Sequence, residues 1–169
     1  MRLLVLVSLF LISNTIFGCS CVTIGNHSDT AQAKSGLKNA DYVIRGTVIN
    51  SETVYLYPYE DDKQLDSISR FRFKVTKRII TLKVSSYFKT KHKLKTDTIY
   101  IQTGVGGGDC GYRFKIGSEY VVYGSAVKED PKKEVLVQME TNICTRTTNN
   151  INREVDLLSL FRKEKFLKP

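Results

Sequence analysis

Hydrophobic and polar residues alternate in short runs along the central part of the chain, which is the pattern of half-buried β-strands. The alternation predicts about five strands, at residues 42–49, 71–76, 98–103, 120–124 and 135–139. The second strand is expected to continue to residue 84, with a bulge or bend near Lys77 and Arg78. A polar excursion is expected at residues 55–66, and a turn at residues 130–133.

Two segments outside these strands are predicted to be helical. A short helix is expected within residues 29–38, with Asp29 as its cap. Near residue 152 the pattern changes to a helical period, and one face carries Val155, Leu158, Phe161 and either Phe166 or Leu167. Together the elements favour a mainly-β fold: an OB-fold-like five-stranded barrel with a flanking short helix and a C-terminal helix.

The first 18 residues have the pattern of a secretory signal peptide. A single positive charge at Arg2 precedes the apolar run 3–12, and small and polar residues follow at 13–18. No later segment approaches the roughly 20 apolar residues of a membrane span. We therefore expect a leader at 1–18 and one domain at 19–169, exported to the cell envelope or the extracellular space.

Two processing routes are compatible with the end of the leader. A signal peptidase that prefers small residues would cut after Gly18, so that the mature chain begins with a free Cys19. The sequence Ile16-Phe17-Gly18-Cys19 is also similar to a bacterial lipobox, in which Cys19 is acylated before cleavage. Membrane attachment is expected only in this second case.

All four cysteines lie in the predicted mature chain: Cys19, Cys21, Cys110 and Cys144. An even number in an exported chain favours disulfides. A direct Cys19–Cys21 bridge would close a strained ring, so each is expected to reach Cys110 or Cys144, in either arrangement. Such bridges close loops of about 90 to 125 residues and contribute about 4–5 kcal/mol each. A four-thiolate metal site is disfavoured, because the usual two-residue knuckles are absent.

The net charge is +9, and it falls by one, to +8, when the leader with Arg2 is removed. This basic balance favours acidic partners or anionic surfaces through long-range attraction, but a solvated basic face explains it better than a dedicated site does. A basic OB-type barrel is compatible with single-stranded nucleic acid, but export argues against a nucleic-acid partner. No serine or cysteine has a matching histidine and carboxylate, so we expect neither an enzyme nor a cofactor. The glycine-rich run 104–109 lacks a following Gly-Lys-Ser/Thr and is predicted to be a flexible connection.

Several short motifs carry a resemblance to a known family. The chain resembles the N-terminal domain of the tissue inhibitors of metalloproteinases and the related netrin-like modules. The resemblance lies in Cys19-Ser20-Cys21-Val22, in residues 40–48, in Asp109-Cys110-Gly111-Tyr112, in residues 117–124 and in residues 141–144. The third disulfide of the inhibitory domain, its proline-rich run after the second cysteine and its cysteine-rich C-terminal domain have no counterpart here.

The resemblance implies both a disulfide pairing and a mechanism. It implies an OB-fold in which Cys19 pairs with Cys110 and Cys21 with Cys144. It also implies that the amine and carbonyl of Cys19 chelate the catalytic zinc of a metalloendopeptidase and displace its water. Ser20 would then lie over the pocket beside the zinc, and Cys21 and Val22 would continue the wedge. The chain itself would hold no metal and act as a monomer.

A second hypothesis is a netrin-like protein-binding or adhesion module without inhibitory activity, either secreted or lipid-anchored. Acylation would block the amine and the thiol of Cys19. Cys110 would then lose the partner that the resemblance implies for it.

Overall fold

Five strands form a closed barrel in a computed structural model of the chain, which describes residues 19, 21, 28–57, 64–72, 74–91, 96–127 and 137–166. The strands are β1 (Tyr42–Leu56), β2 (Val75–Lys89), β3 (Thr98–Thr103), β4 (Glu119–Ala126) and β5 (Met139–Glu140). They are ordered β1-β2-β3-β5-β4, and β4 pairs back with β1. All pairs are antiparallel except β3 with β5. The predicted mainly-β, OB-fold-like barrel is confirmed.

The barrel interior is filled by the apolar residues that alternate along the strands. In β3 the alternation is regular: Ile99 and Ile101 are fully buried, whereas Thr98, Tyr100 and Gln102 are half-buried. The neighbouring strands add residues of the same kind, including Ile44, Val48, Ile80, Leu82, Val122 and Met139. Burial of each of these side chains stabilises the fold by about 1.5–3 kcal/mol.

In the described part of the chain, three helices accompany the barrel: α1 (Asp29–Asn39), α2 (Ser67–Arg72) and α3 (Ile151–Phe166). α1 and α3 contact each other. The outward-facing Val43, Val121 and Tyr123 are buried against Leu158 of α3, with Val155 and Phe161 beside it. The predicted apolar face of the C-terminal helix is therefore confirmed for Val155, Leu158 and Phe161. The side chains of Phe166 and Leu167 lie outside the described residues.

The prediction that Asp29 caps the first helix is wrong. The cap is Ser28, whose hydroxyl accepts a hydrogen bond from the Ala31 N–H at 3.3 Å. Asp29 is the first helical residue, and its carboxylate is turned toward Arg146 and Arg153 instead. A serine and an aspartate in sequence are both good caps, so the local pattern does not decide between them.

The predicted strand at residues 71–76 is only partly correct. The segment Ser67–Arg72 is helical, and β2 begins at Val75. The cause is Asp66, whose Oδ1 accepts the N–H groups of Ile68 and Ser69 at 2.9 Å each. This side chain satisfies the first donors of a short helix and favours it over the alternating strand.

The predicted bulge near Lys77 and Arg78 is also wrong, because the β1–β2 register is regular there. The irregularities lie in the first half of β1, between residues 43 and 44, 45 and 46, and 48 and 50. β1 continues to Leu56, so the excursion begins later than residue 55. Of the strand expected at 135–139, only Met139 lies in β5; residues 135 and 136 and the turn at 130–133 fall outside the described residues.

Among the described residues, no helix is long and apolar enough to cross a membrane.

Candidate functional site: the tethered amino-terminal segment

Two disulfides attach the amino-terminal segment, defined here by Cys19 and Cys21, to one part of the barrel. Cys19 pairs with Cys110 and Cys21 with Cys144, with Cα–Cα distances of 5.3 and 5.1 Å. This is the pairing that the family resemblance implies. Cys144 is exposed, and the other three cysteines are half-buried. Ser20 and Val22, the other two residues of the expected ridge, lie outside the described residues.

Cys110 lies at the end of a loop that is organised by a single carboxylate. Asp109 accepts hydrogen bonds from the N–H groups of Val105, Gly106 and Gly111, at 2.7, 2.9 and 3.2 Å. A short 3₁₀ turn at Gly107–Asp109 closes the loop. The connection expected at 104–109 is therefore a hydrogen-bonded loop, in which one side chain satisfies three backbone donors.

The same carboxylate has a perturbed pKa. Burial raises the pKa of Asp109, but the three N–H donors, assisted by the nearby charge of Lys77, outweigh burial and hold it below its ordinary value. The carboxylate is therefore charged at neutral pH. Its hydrogen bonds to the loop are of the stronger, charge-assisted kind.

Close backbone packing completes this loop. A side-chain carbon on Gly111 would overlap the carbonyl oxygen of Gly104 and would lie 2.6 Å from the nitrogen of Gly106. Only glycine fits at this position. The next residue, Tyr112, donates its N–H to the hydroxyl of Thr103 at 2.9 Å and so fixes the exit of the loop to β3.

Cys144 lies in a second ordered turn. The side-chain oxygen of Asn142 accepts the N–H groups of Cys144 and Thr145, at 2.8 and 3.2 Å. The N–H of Ile143 donates to the carbonyl of Cys110 at 2.9 Å. The two barrel segments that carry disulfide partners are therefore joined by a backbone hydrogen bond, independently of sulfur.

Three threonine hydroxyls fasten this turn to β4. The Oγ1 atoms of Thr141, Thr145 and Thr147 lie 2.8–3.0 Å from one another. Thr141 donates to the carbonyl of Tyr123 at 2.8 Å, and the Tyr123 N–H donates to Thr147 at 3.1 Å. The turn that holds Cys144 is thus anchored along the outer edge of the barrel.

A buried ionic network continues from the same turn to the helices. Arg146 forms two hydrogen bonds with Glu154 of α3, at 2.8 and 2.9 Å, and one with Asp29 of α1 at 2.7 Å. The hydroxyl of Tyr123 donates to Glu154 at 2.6 Å. Glu154 is 3% exposed, so its carboxylate is hydrogen-bonded to these partners in place of water. The hydrophobic and polar pattern of the sequence does not predict this network.

The network changes the pKa values of its members. Burial and the hydrogen bond to Glu154 raise the pKa of the Tyr123 hydroxyl above its ordinary value. The hydrogen bond from Arg146 lowers the pKa of Asp29 below its ordinary value. Both shifts favour the protonation states that hold α1, α3 and the Cys144 turn together at neutral pH.

The sulfur atoms of the site are close to one another. Those of Cys19, Cys110 and Cys144 all lie within 4.8 Å, and this is the group with metal-ligand spacing that the described residues contain. Metal binding requires thiolates, which these sulfurs do not offer in the disulfide form. In this state the sulfurs attach Cys19 and Cys21 to the turns that carry Cys110 and Cys144.

Comparison of the chain with family models and with curated proteins yields no match.

Proposed function

We propose that the chain is an exported, non-enzymatic inhibitor of a zinc metalloendopeptidase. In this proposal the leader is cleaved before Cys19, and the new amine and the carbonyl of Cys19 bind the catalytic zinc of the protease. A catalytic zinc has three protein ligands and one position for water. A chelating pair at that position removes the nucleophile of the reaction.

The observation that supports the proposal is the double tether of the segment. Cys19 and Cys21 are bonded to two different turns, and those turns are themselves fixed by Asp109, Asn142 and a backbone hydrogen bond. A segment held in this way loses little conformational entropy when it enters a cleft, which favours tight binding. Ser20 and Val22 would contact the protease on either side of Cys21.

The chemistry of the amine agrees with this role at neutral pH. An unperturbed α-amine has a pKa of about 7.7–8. A substantial neutral fraction therefore exists near pH 7.5, and the zinc ion captures it. A peptide bond at Cys19, as in the uncleaved chain, leaves an amide nitrogen that is a poor zinc ligand.

The alternative function is a netrin-like protein-binding module anchored by a lipid at Cys19. It is favoured by the lipobox-like residues 16–19. It conflicts with the Cys19–Cys110 pairing, because acylation consumes the Cys19 sulfur. It predicts a membrane-associated protein that is released by Cys19→Ser.

The deciding experiment compares two forms of the protein against a panel of zinc endopeptidases. One form begins at Cys19, and its matched control carries one additional residue, Gly18. We expect the first to inhibit at least one protease and the second to lose that inhibition, because its Cys19 nitrogen is an amide. Both forms must contain two disulfides and give the same circular dichroism. Equal inhibition by both forms, or none by the first, would contradict the proposal.

A further inference from the structure

We propose that the two disulfides form one exchange unit, in which a single two-electron reduction releases both tethers of the amino-terminal segment. The product would contain a new Cys110–Cys144 disulfide and free thiols at Cys19 and Cys21. This inference concerns the sulfur chemistry alone, so it does not depend on whether the chain inhibits a protease.

The arrangement of the four cysteines in the fold supports the exchange. Cys110 and Cys144 belong to two turns of the barrel that are joined by the hydrogen bond from the Ile143 N–H to the Cys110 carbonyl, at 2.9 Å. Each turn is also bonded to β3, through the Tyr112 N–H in one case and the Thr141 N–H in the other. These contacts keep the two sulfurs adjacent when their bonds to the amino-terminal segment are broken.

The sulfur atoms are already close enough for the reaction to start. The Sγ atom of Cys144 lies within 4.8 Å of both Cys19 and Cys110. Thiol–disulfide exchange proceeds when a thiolate attacks one sulfur of a disulfide and displaces the other. Rotation of the Cys144 side chain is the movement that brings its sulfur to Cys110.

Exposure indicates where the reaction begins. Cys144 is exposed, whereas Cys19, Cys21 and Cys110 are half-buried. A dithiol reductant is therefore expected to react first at Cys144, because access is one of the factors that set the rate of exchange.

One thiolate of the dithiol attacks the sulfur of Cys144 and displaces the Cys21 thiolate, which gives a mixed disulfide. The second thiol of the reductant then attacks this mixed disulfide, forms the oxidised reductant and releases the Cys144 thiolate. That thiolate attacks Cys110, forms the Cys110–Cys144 bond and displaces the Cys19 thiolate. The reductant loses two electrons and two protons, and Cys19 and Cys21 gain them as two thiols.

The consequence is an all-or-none release. If the disulfides reacted independently, one reduction would leave the segment attached by the other bond. With exchange, the barrel keeps a disulfide between its own turns, and the segment that contains Cys19 and Cys21 loses both covalent attachments together.

Peptide mapping after limited reduction tests the proposal. The oxidised full mature chain is treated with one equivalent of dithiothreitol, and free thiols are alkylated in acid. Cleavage after lysine and arginine separates the cysteines, because Cys19 and Cys21 share one peptide while Cys110 and Cys144 lie in two others. We expect most singly reduced molecules to carry alkyl groups on Cys19 and Cys21 and a link between the other two peptides. Retention of either original disulfide in most of these molecules would overturn the proposal.

A variant provides a second test that needs no reductant. Cys19→Ser combined with Cys21→Ser removes both tethers and leaves the two barrel cysteines without their partners. We expect this protein to form the Cys110–Cys144 disulfide within the monomer on oxidation in air, with a loss of two mass units. The matched control, Cys19→Ser with Cys144→Ser, leaves Cys21 and Cys110. Two persistent free thiols in the first variant, or equally fast closure in the control, would contradict the proposal.

Discussion

Arg146 and Glu154 are joined by two parallel hydrogen bonds, in which the guanidinium donates to both carboxylate oxygens at 2.8 and 2.9 Å. Arg146 lies two residues beyond Cys144, and Glu154 lies in the first turn of α3. The pair therefore connects the turn that holds the second disulfide to the helix that covers the barrel. Its geometry suggests the first of four predictions.

Glu154→Gln should destabilise the protein. The substitution removes one charge of a buried pair and leaves the opposite guanidinium with Asp29 as its charged hydrogen-bond partner, so we expect the free energy of unfolding to fall by about 3 kcal/mol. Urea denaturation measures the change. The matched control is Asp156→Asn on the exposed side of the same helix, which should alter stability by less than about 0.5 kcal/mol. Equal effects of the two substitutions would contradict the account.

Stability should decrease in acid, partly because of Asp29. The hydrogen bond from Arg146 lowers the pKa of this carboxyl in the folded protein. Between the folded and unfolded pKa values the unfolded chain binds more protons, so the free energy of unfolding rises with pH up to about pH 4. We expect the wild type to lose stability as the pH falls below about 4, and Asp29→Asn to lose less. Denaturation curves at about pH 5 and pH 3 would show the difference; parallel losses in the two proteins would count against it.

Two glycines of the same loop should respond differently to alanine. A Cβ on Gly111 would overlap the backbone of Gly104, whereas one on Gly108 would have no heavy atom within 4 Å. We expect Gly111→Ala to lower the free energy of unfolding by about 1–3 kcal/mol. We expect Gly108→Ala to change it by less than about 0.5 kcal/mol. Thermal unfolding of both variants checks this, and a stable Gly111→Ala protein would show that the loop is not close-packed.

Removal of the second disulfide should cost stability without disrupting the barrel. Cys21→Ser with Cys144→Ser opens a link between residues separated by 123 positions. The chain-entropy model gives a loss of up to about 4–5 kcal/mol for such a loop. Guanidinium denaturation at equilibrium measures it, and far-ultraviolet circular dichroism should retain the β-sheet signal. An unchanged midpoint would show that the tether does not restrict the unfolded chain.

The strands were predictable where one face of a strand is buried and the other is not. β3 was predicted with its observed bounds, because burial alternates strictly from Thr98 to Thr103. The start of β2 was not, because a local effect, the capping of α2 by Asp66, prevails over an alternating pattern in the following residues. The sequence signal for this effect is an aspartate followed three residues later by a hydroxyl, Ser69, that donates back to it.

The candidate site was predictable from its cysteines but not from its supports. Cys19 and Cys21 are conspicuous after the predicted leader, whereas Asp109, Asn142 and the threonines around Tyr123 act through contacts that only the folded chain creates. The link from Arg146 to Asp29 spans 117 residues, and no local spacing indicates it. Sequence patterns report on neighbours in the chain, and these interactions depend on strand order and loop closure.

The most direct test of the central claim is the intact mass of the mature protein purified from its native source, before and after reduction. The account predicts the mass of a chain that begins at Cys19 and carries no lipid, with a gain of four hydrogens on reduction. That mass would mean a free α-amine and two disulfides. A mass higher by a diacylglyceryl group and an acyl chain, or a gain of fewer than four hydrogens, would contradict the chelating, doubly tethered amino terminus.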